Sequence, residues 1–400
     1  MDRFLNQEDQ DVSKLLETLK NASKYLQNNP IFTINNPHDV SIKLLSDLQT
    51  KAHPILSTNP YLSKLSQLLR NIKTLLEKLE KYQGYGLKSL LCRQITKYKI
   101  SQVAYAIEAE IQAYFDRKSV QNLVKILEES ENEEEKVKVL IEFIKRVSQG
   151  FDRDFQDLIL KAKVFSVLEM LLCDSTCSKR VRELAALAIE ALANFNRNVF
   201  VGLVLMGSII QNLISMESSC SIQVLSSLIS LIRSPLIDEI HCRGEIPNII
   251  SFLNSEDLSI QVAAMDCICQ IAYFGRREVI EAMLEQGLIN KLMELQRSKH
   301  GKFFIKTDDY IDNEMVVICE EEDSKSDTTI EVDEEEITLH NCPFLNCVAR
   351  FAVQVEVGEG LSLKEKKEIK LEILKRVRET SVSEAESASI VAEVLWGSSP

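Results

Sequence analysis

Apolar residues recur three and four positions apart along most of the chain, the spacing of amphipathic helices. Val12, Leu15, Leu16, Leu19 and Leu26 predict a helix over residues 9–28, stopped by Asn29-Pro30. Ile42, Leu44, Leu45 and Leu48 predict a second over 38–56. Asn59 suits an N-cap and Pro60 a first helical position, opening a third helix over 60–82 with Leu65, Leu69, Ile72, Leu76 and Leu79 on one face. Gly84-Tyr85-Gly86 turns the chain into a fourth helix over 87–115. Four helices joined by short loops predict an up-down four-helix bundle over residues 1–115.

A longer period follows. Residues 243–297 contain a short helix at 248–253, a turn at 254–257, a long helix at 258–274, a break at Gly275 and another helix at 278–285. Comparable openings stand at Val120, Val164, Ile209, Ile246 and Ile289, 37 to 45 residues apart. Long helices at 131–148, 179–194 and 221–233 belong to the same series, as do shorter ones at 151–160 and 198–205. Helices of this length cannot bury their apolar faces alone and must stack on one another. The expected fold is all-α: the bundle, then a superhelical α-solenoid over 116–400. Helices at 361–380 and 383–396 are expected to cap the array with a polar Lys/Glu face.

The repeats resemble the armadillo repeat, in which two short helices accompany a long third one. The closest correspondence is Ile260-Gln-Val-Ala-Ala-Met-Asp-Cys-Ile-Cys-Gln-Ile-Ala272, followed by Val181-Arg-Glu-Leu-Ala-Ala-Leu-Ala-Ile-Glu-Ala-Leu-Ala193. Ala185, Ala186 and Ala264 allow neighbouring helices to approach closely, and Gly207, Gly244 and Gly287 fall at the turns between repeats. The resemblance covers residues 117–400; the whole chain resembles plant armadillo-repeat proteins that lack a U-box. It implies a non-enzymatic protein–protein interaction scaffold that uses the concave surface of the array. It also implies two other roles: an accessory or substrate-adaptor subunit of a ubiquitin ligase, and a membrane-peripheral signalling regulator acting through the bundle. Armadillo importers carry a Trp and, one turn on, an Asn on the third helix. Those places read Leu187 and Ala191 in one repeat and Asp266 and Gln270 in another, which argues against a nuclear-localisation-signal receptor. Asp266, Gln270 and, further along the chain, Arg350 are the candidate partner-binding residues.

The net charge of −13 changes the picture less than it suggests. Residues 308–338 hold 14 acids and one lysine, so the remainder of the chain is close to neutral. An acidic balance does not favour nucleic-acid binding. The stretch from about 299 to 340 is rich in charge and poor in aromatics, and is expected to be a disordered acidic insertion. Within it Ser324 and Thr328 each precede an acid by three positions, as acidophilic kinases prefer. Such a loop reads first as a solubilising tether; the sharper reading is that it folds over basic residues of its own groove, with Arg350 and the lysines of 364–367 as contacts.

Chemistry adds little. The ten cysteines sit mostly in apolar helical runs and read as reduced core residues. Cys173 and Cys177 have zinc-like spacing, but no second pair follows. Phosphate-binding and hydrolase motifs are absent, so neither an enzyme nor a cofactor or metal is expected. Lys97, Tyr98, Lys99, Tyr105 and Tyr114 read as a bundle core with a solvated basic edge. The acidic start, without an apolar leader, and the absence of a 20-residue apolar run lead to an expected intracellular location, cytoplasm or nucleus. If the acidic insertion masks the groove, deleting 308–338 will change the neighbours captured by proximity labelling in cells. Identical labelling by both forms refutes the mask.

Overall fold

The computed structural model describes residues 2–28, 62–81, 86–298 and 342–396. They form 18 α-helices and a short 3-10 turn. In chain order these are α1 Asp2–Asn28, α2 Ser63–Lys81, α3 Leu87–Glu129, α4 Glu133–Val147, α5 Arg153–Lys161, α6 Val164–Cys173, α7 Lys179–Phe195, α8 Arg197–Met206 and α9 Ile209–Ser215. There follow α10 Ser219–Ile232, α11 Ser234–Cys242, α12 Ile246–Ser251, α13 Leu258–Phe274, α14 Arg277–Glu285, α15 Leu288–Arg297, α16 Cys347–Val357, α17 Leu363–Thr380 and α18 Glu384–Trp396. The helix expected at 38–56 and the acidic insertion with Ser324 and Thr328 lie outside the described residues.

The chain divides into two compact units. The first comprises Met1–Glu129 and Asp152–Val164. Its core is built by Leu16 and Leu19 of α1, Leu65, Leu69, Ile72, Leu76 and Leu79 of α2, and Ile100, Ala104, Ile107 and Ile111 of α3. Each fully buried Leu or Ile contributes about 1.5–3 kcal/mol relative to exposure. The edges carry Lys24–Glu108 at 3.5 Å and Lys64–Glu110 at 2.6 Å.

Two expectations change here. The helix predicted to end at 115 continues to Glu129, 43 residues in all, so Val120 opens no repeat; it is buried late in α3. Nothing between 87 and 129 breaks a helix, and the apolar spacing continues through Ile111, Val120, Leu123 and Leu127. Tyr98 and Tyr105 are exposed rather than part of the core, while Tyr114 packs against it.

The second unit comprises Ser130–Phe151 and Phe165–Pro400. Its long helices α4, α7, α10, α13, α16 and α18 stack side by side in chain order. Short pairs α8–α9, α11–α12 and α14–α15 connect them, which gives the three-helix repeat of an armadillo-type solenoid. Val164, Ile209 and Ile246 open α6, α9 and α12, and Ile289 is the second residue of α15. Small side chains bring the long helices together: Ala185, Ala186, Ala188, Ala263, Ala264, Ala349 and Ala352 are all buried. N-caps from Ser178, Ser218 and Asp257 fix where α7, α10 and α13 begin. The helix α11 is absent from the series read in the sequence, which passes from 221–233 to the opening at Ile246. Its Pro235 sits in the first helical turn, where its lacking N–H is no loss.

The ends of the helices are tied across repeats. Arg243 donates through Nη1 to the Gly207 carbonyl and through Nη2 to that of Leu205, each at 2.9 Å, while Nε donates to Glu239 at 2.7 Å. Arg376 repeats the arrangement with the Leu284 carbonyl at 2.6 Å and Glu372 at 2.9 Å. Arg182 and Gln261 of the long helices donate to the carbonyls of Leu172 and Leu253 at 3.1 and 3.2 Å. These donors bond to carbonyls at the ends of short helices, of which that of Leu284 also accepts from the Gly287 N–H at 3.0 Å. Gly244 and Gly287 supply the positive φ of 74° needed between first and second helices; Gly207 has an ordinary φ of −83°. α17 and α18 carry exposed Leu371, Leu395 and Trp396 beside their Lys and Glu residues, so this end is less polar than expected.

On the other side of the repeats, Ser234 Oγ donates to the Phe274 carbonyl at 2.8 Å, and the Glu359 and Gly360 amides donate to that of Tyr273 at 2.7 and 3.2 Å. A Cβ on Gly360 would fall on the Gly275 carbonyl. Gly360→Ala is expected to destabilise the second unit by about 1–3 kcal/mol. Gly202→Ala, in open space within α8, is expected to stabilise by about 0.5–1 kcal/mol. Urea unfolding midpoints of the full chain check both signs.

Candidate protein-binding groove

Each stacked long helix buries one face and leaves the other open. The burial pattern sets a common register. Asp266 and Gln270 of α13 interrupt a buried series that includes Met265, Cys267, Ile268 and Ile271. The same pattern places Leu187 and Ala191 of α7, Gln223 and Ser227 of α10, and Arg350 and Gln354 of α16 at equivalent positions. Each pair is four residues apart and therefore shares a helix face. Two rows of accessible side chains thus cross four consecutive repeats.

Between α13 and α16 the face deepens into a pocket of about 450 Å³, lined by Asp266, Cys269, Gln270, Arg350, Val353 and Gln354. All three partner-binding candidates from the sequence meet here. Arg350 Nη1 donates to the Pro343 carbonyl at 2.6 Å, and Nη2 lies 3.7 Å from Asp266 Oδ1. The guanidinium is 24% exposed and the carboxylate 59%, so the cation is fixed in the wall and the acid stands in the mouth. At 3.7 Å the two attract without a close hydrogen bond. The expected partner for Arg350, the acidic insertion, lies outside the described residues. Of the lysines in 364–367, Lys364 pairs with Glu368 at 3.8 Å and Lys366 donates to the Gly358 carbonyl at 2.7 Å.

Partial desolvation holds the Asp266 carboxyl above the usual aspartate range, against the pull of Arg350. Burial pushes the Cys269 thiol up to about 11, again against Arg350, and the Cys267 and Cys347 thiols up to about 12. These thiols are protonated at neutral pH and are poor nucleophiles. Glu190, beside this face on α7, is raised by desolvation, opposed by the Ser227 hydroxyl. Not every cysteine is a core residue: Cys173 and Cys242 are exposed. Cys173 Sγ accepts from Asn212 at 2.9 Å, and Cys177 donates to Asp174 at 3.4 Å. Among the described residues no group of three or more His, Cys, Asp or Glu side chains could hold a metal ion.

Sequence reasoning missed Gln223, Ser227 and Gln354. Their signal was present: a polar pair four apart inside an apolar helix, in the same register as Asp266 and Gln270.

No family model matches the chain, and no curated protein does. Among solved structures, a designed armadillo repeat protein is 17% identical, covers 70% of this chain and 99% of its own, and has a TM-score of 0.40. Another designed armadillo repeat protein, in complex with the peptide (KR)4, is 18% identical over 70% of this chain and 98% of its own, with a TM-score of 0.41. Kap121p bound to Pho4p is 12% identical over 98% of this chain and 37% of its own, with a TM-score of 0.41. The fold rests on the helices described above. They define an all-α protein: a helical bundle followed by an armadillo-type solenoid. Among the described residues no single helix is long and apolar enough to cross a membrane.

A raised folded-state pKa at Asp266 favours its protonated form in the native protein. Its contribution to stability is therefore full below the unfolded aspartate pKa and is lost as pH rises through the folded value. Carboxyl-carbon NMR is expected to find Asp266 titrating above the ordinary aspartate value of 3.8, and higher still in Arg350→Met. A downward movement in that variant refutes the role given to the guanidinium.

Proposed function

We propose that the second unit is a non-enzymatic scaffold that binds an extended segment of another protein across the open face of α7, α10, α13 and α16. The observation that carries this reading is the pair of in-register rows, Leu187–Gln223–Asp266–Arg350 and Ala191–Ser227–Gln270–Gln354. A row repeated once per armadillo unit suits a ligand that is itself a repeating chain. Glutamine amides both donate and accept, so Gln223, Gln270 and Gln354 match the alternating N–H and C=O groups of an extended backbone. The pocket at Asp266 and Arg350 would take one side chain of that segment, with Val353 and Cys269 as its apolar wall. The loose Asp266–Arg350 pair would yield to a partner group at little loss, since exposed pairs contribute about 0–1 kcal/mol.

Selection of displayed random peptides against the full chain, followed by fluorescence anisotropy, tests the reading. Gln270→Ala and Gln354→Ala are each expected to weaken the selected peptides by roughly three- to tenfold, the worth of a neutral hydrogen bond. Peptides that bind the double variant as tightly as the parent would show that they sit elsewhere.

A further inference from the structure

The helix α3 has two apolar faces. Ile100, Ala104, Ile107 and Ile111 are buried in the bundle. Leu87, Leu91, Ile95, Tyr98 and Tyr105 are 87, 64, 47, 66 and 68% exposed. At the helical rotation of about 100° per residue these five fall within an arc of roughly 80°, opposite the buried face. They form one line of large apolar side chains in solvent. Isolated exposed apolar residues need no explanation, but an aligned set does.

The charges around this line have one sign. From Leu87 to Ile107 the sequence holds Lys88, Arg93, Lys97 and Lys99 and no acid, in a chain of net charge −13. Lys88 and Lys99 are exposed and flank one edge of the line, while Arg93 and Lys97 are half-buried and turn back towards the bundle side of the helix. The next acids, Glu108 and Glu110, are engaged by Lys24 and Lys64. The occupant of this face must accept both apolar side chains and cations. A second copy would set cation against cation with no acid to offset them. A nucleic-acid backbone offers nothing to Leu87, Leu91 or Ile95. The outward line of a single helix provides no pocket for a protein anchor. An anionic bilayer meets every feature: leucines reach the acyl boundary, tyrosines rest at headgroup level, and lysines reach the phosphates along their stems.

We propose that the exposed face of α3, from Leu87 to Tyr105, docks on an anionic lipid bilayer. This surface is separate from the peptide-binding rows and does not depend on them. The test is flotation of the full chain with phosphatidylcholine vesicles, with and without phosphatidylserine. The chain is expected to float with the mixed vesicles, to stay behind with phosphatidylcholine alone, and to be released by salt. Removing each lysine should weaken the partition roughly fivefold, so Lys88→Gln with Lys99→Gln should lose more than tenfold. Leu91→Gln with Ile95→Gln should abolish flotation while leaving the melting temperature unchanged, because both side chains face solvent. Failure of the parent chain to float, or flotation of the Leu91→Gln/Ile95→Gln variant, overturns the proposal. So does a large drop in that variant's melting temperature, or a halving of its mass by light scattering, since either shows that protein already covers the face. Capture by an acidic amphipathic peptide without capture by vesicles overturns it as well.

Discussion

Close approach of the long helices is the constraint on which the second unit depends. None of its short helices can bury its own apolar face, so every repeat completes the core of the next. On α7, α13 and α16 the approach is eased by alanines and a few cysteines, while α10 between them buries Ile222, Val224, Leu225, Leu228 and Ile229. Ala185, Ala186 and Ala188 on α7, Ala263, Ala264 and Cys267 on α13, and Cys347, Ala349 and Ala352 on α16 are fully or almost fully buried. Larger groups at these places would push neighbouring helices apart, and overpacking is as destabilising as a cavity. The same spacing decides how far apart the open-face residues lie, so the core and the groove share one geometry.

Stacking also leaves many helix ends, and their carbonyls must be satisfied in a crowded place. The protein answers with long side chains that reach sideways. Arg243 and Arg376 reach the ends of first helices in other repeats, and Arg182 and Gln261 close the ends of second helices in their own. Each arginine of the first pair is also held by a glutamate one turn back, Glu239 or Glu372. The carboxylate orients the guanidinium, and the guanidinium fixes the neighbouring turn. Register between repeats therefore rests on directional bonds as well as on apolar contact, which resists the sliding that a purely apolar seam would permit.

The architecture was readable from the sequence because periodic burial is a local signal. The α13 boundaries follow directly from Asp257 as cap and Gly275 as stop, and both agree with the observed helix Leu258–Phe274. The boundary at 115 was misplaced for a related reason. No Gly, Pro or cap marks the end of the bundle core, and one helix serves past it to Glu129. The short helix α11, which starts at Ser234-Pro235, was absent from the expected series. The candidate pocket was half visible. Asp266 and Gln270 were found from their place in the repeat and Arg350 from its charge, yet nothing in the sequence shows that an insertion of some forty residues returns Arg350 to face Asp266. The second face of α3 was hidden because apolar residues on opposite sides of one helix read together as a buried helix.

The open rows also change character along the stack. From α7 to α16 they pass from Leu187 and Ala191 through Gln223 and Ser227 to the charged pair at Asp266 and Arg350, and α4 adds exposed Lys138 and Glu142 in the same register before them. A chain laid along α7 to α16 meets apolar ground at one end of that run and an ion pair at the other. Reversing the chain would place its polar part against Leu187 and its apolar part against Arg350, leaving a charge desolvated without a partner. The repeat supplies equal spacing, which by itself would bind a ligand in several registers and either direction. Differences between repeats break that degeneracy. The differences between repeats in this array are therefore where direction and register would be read.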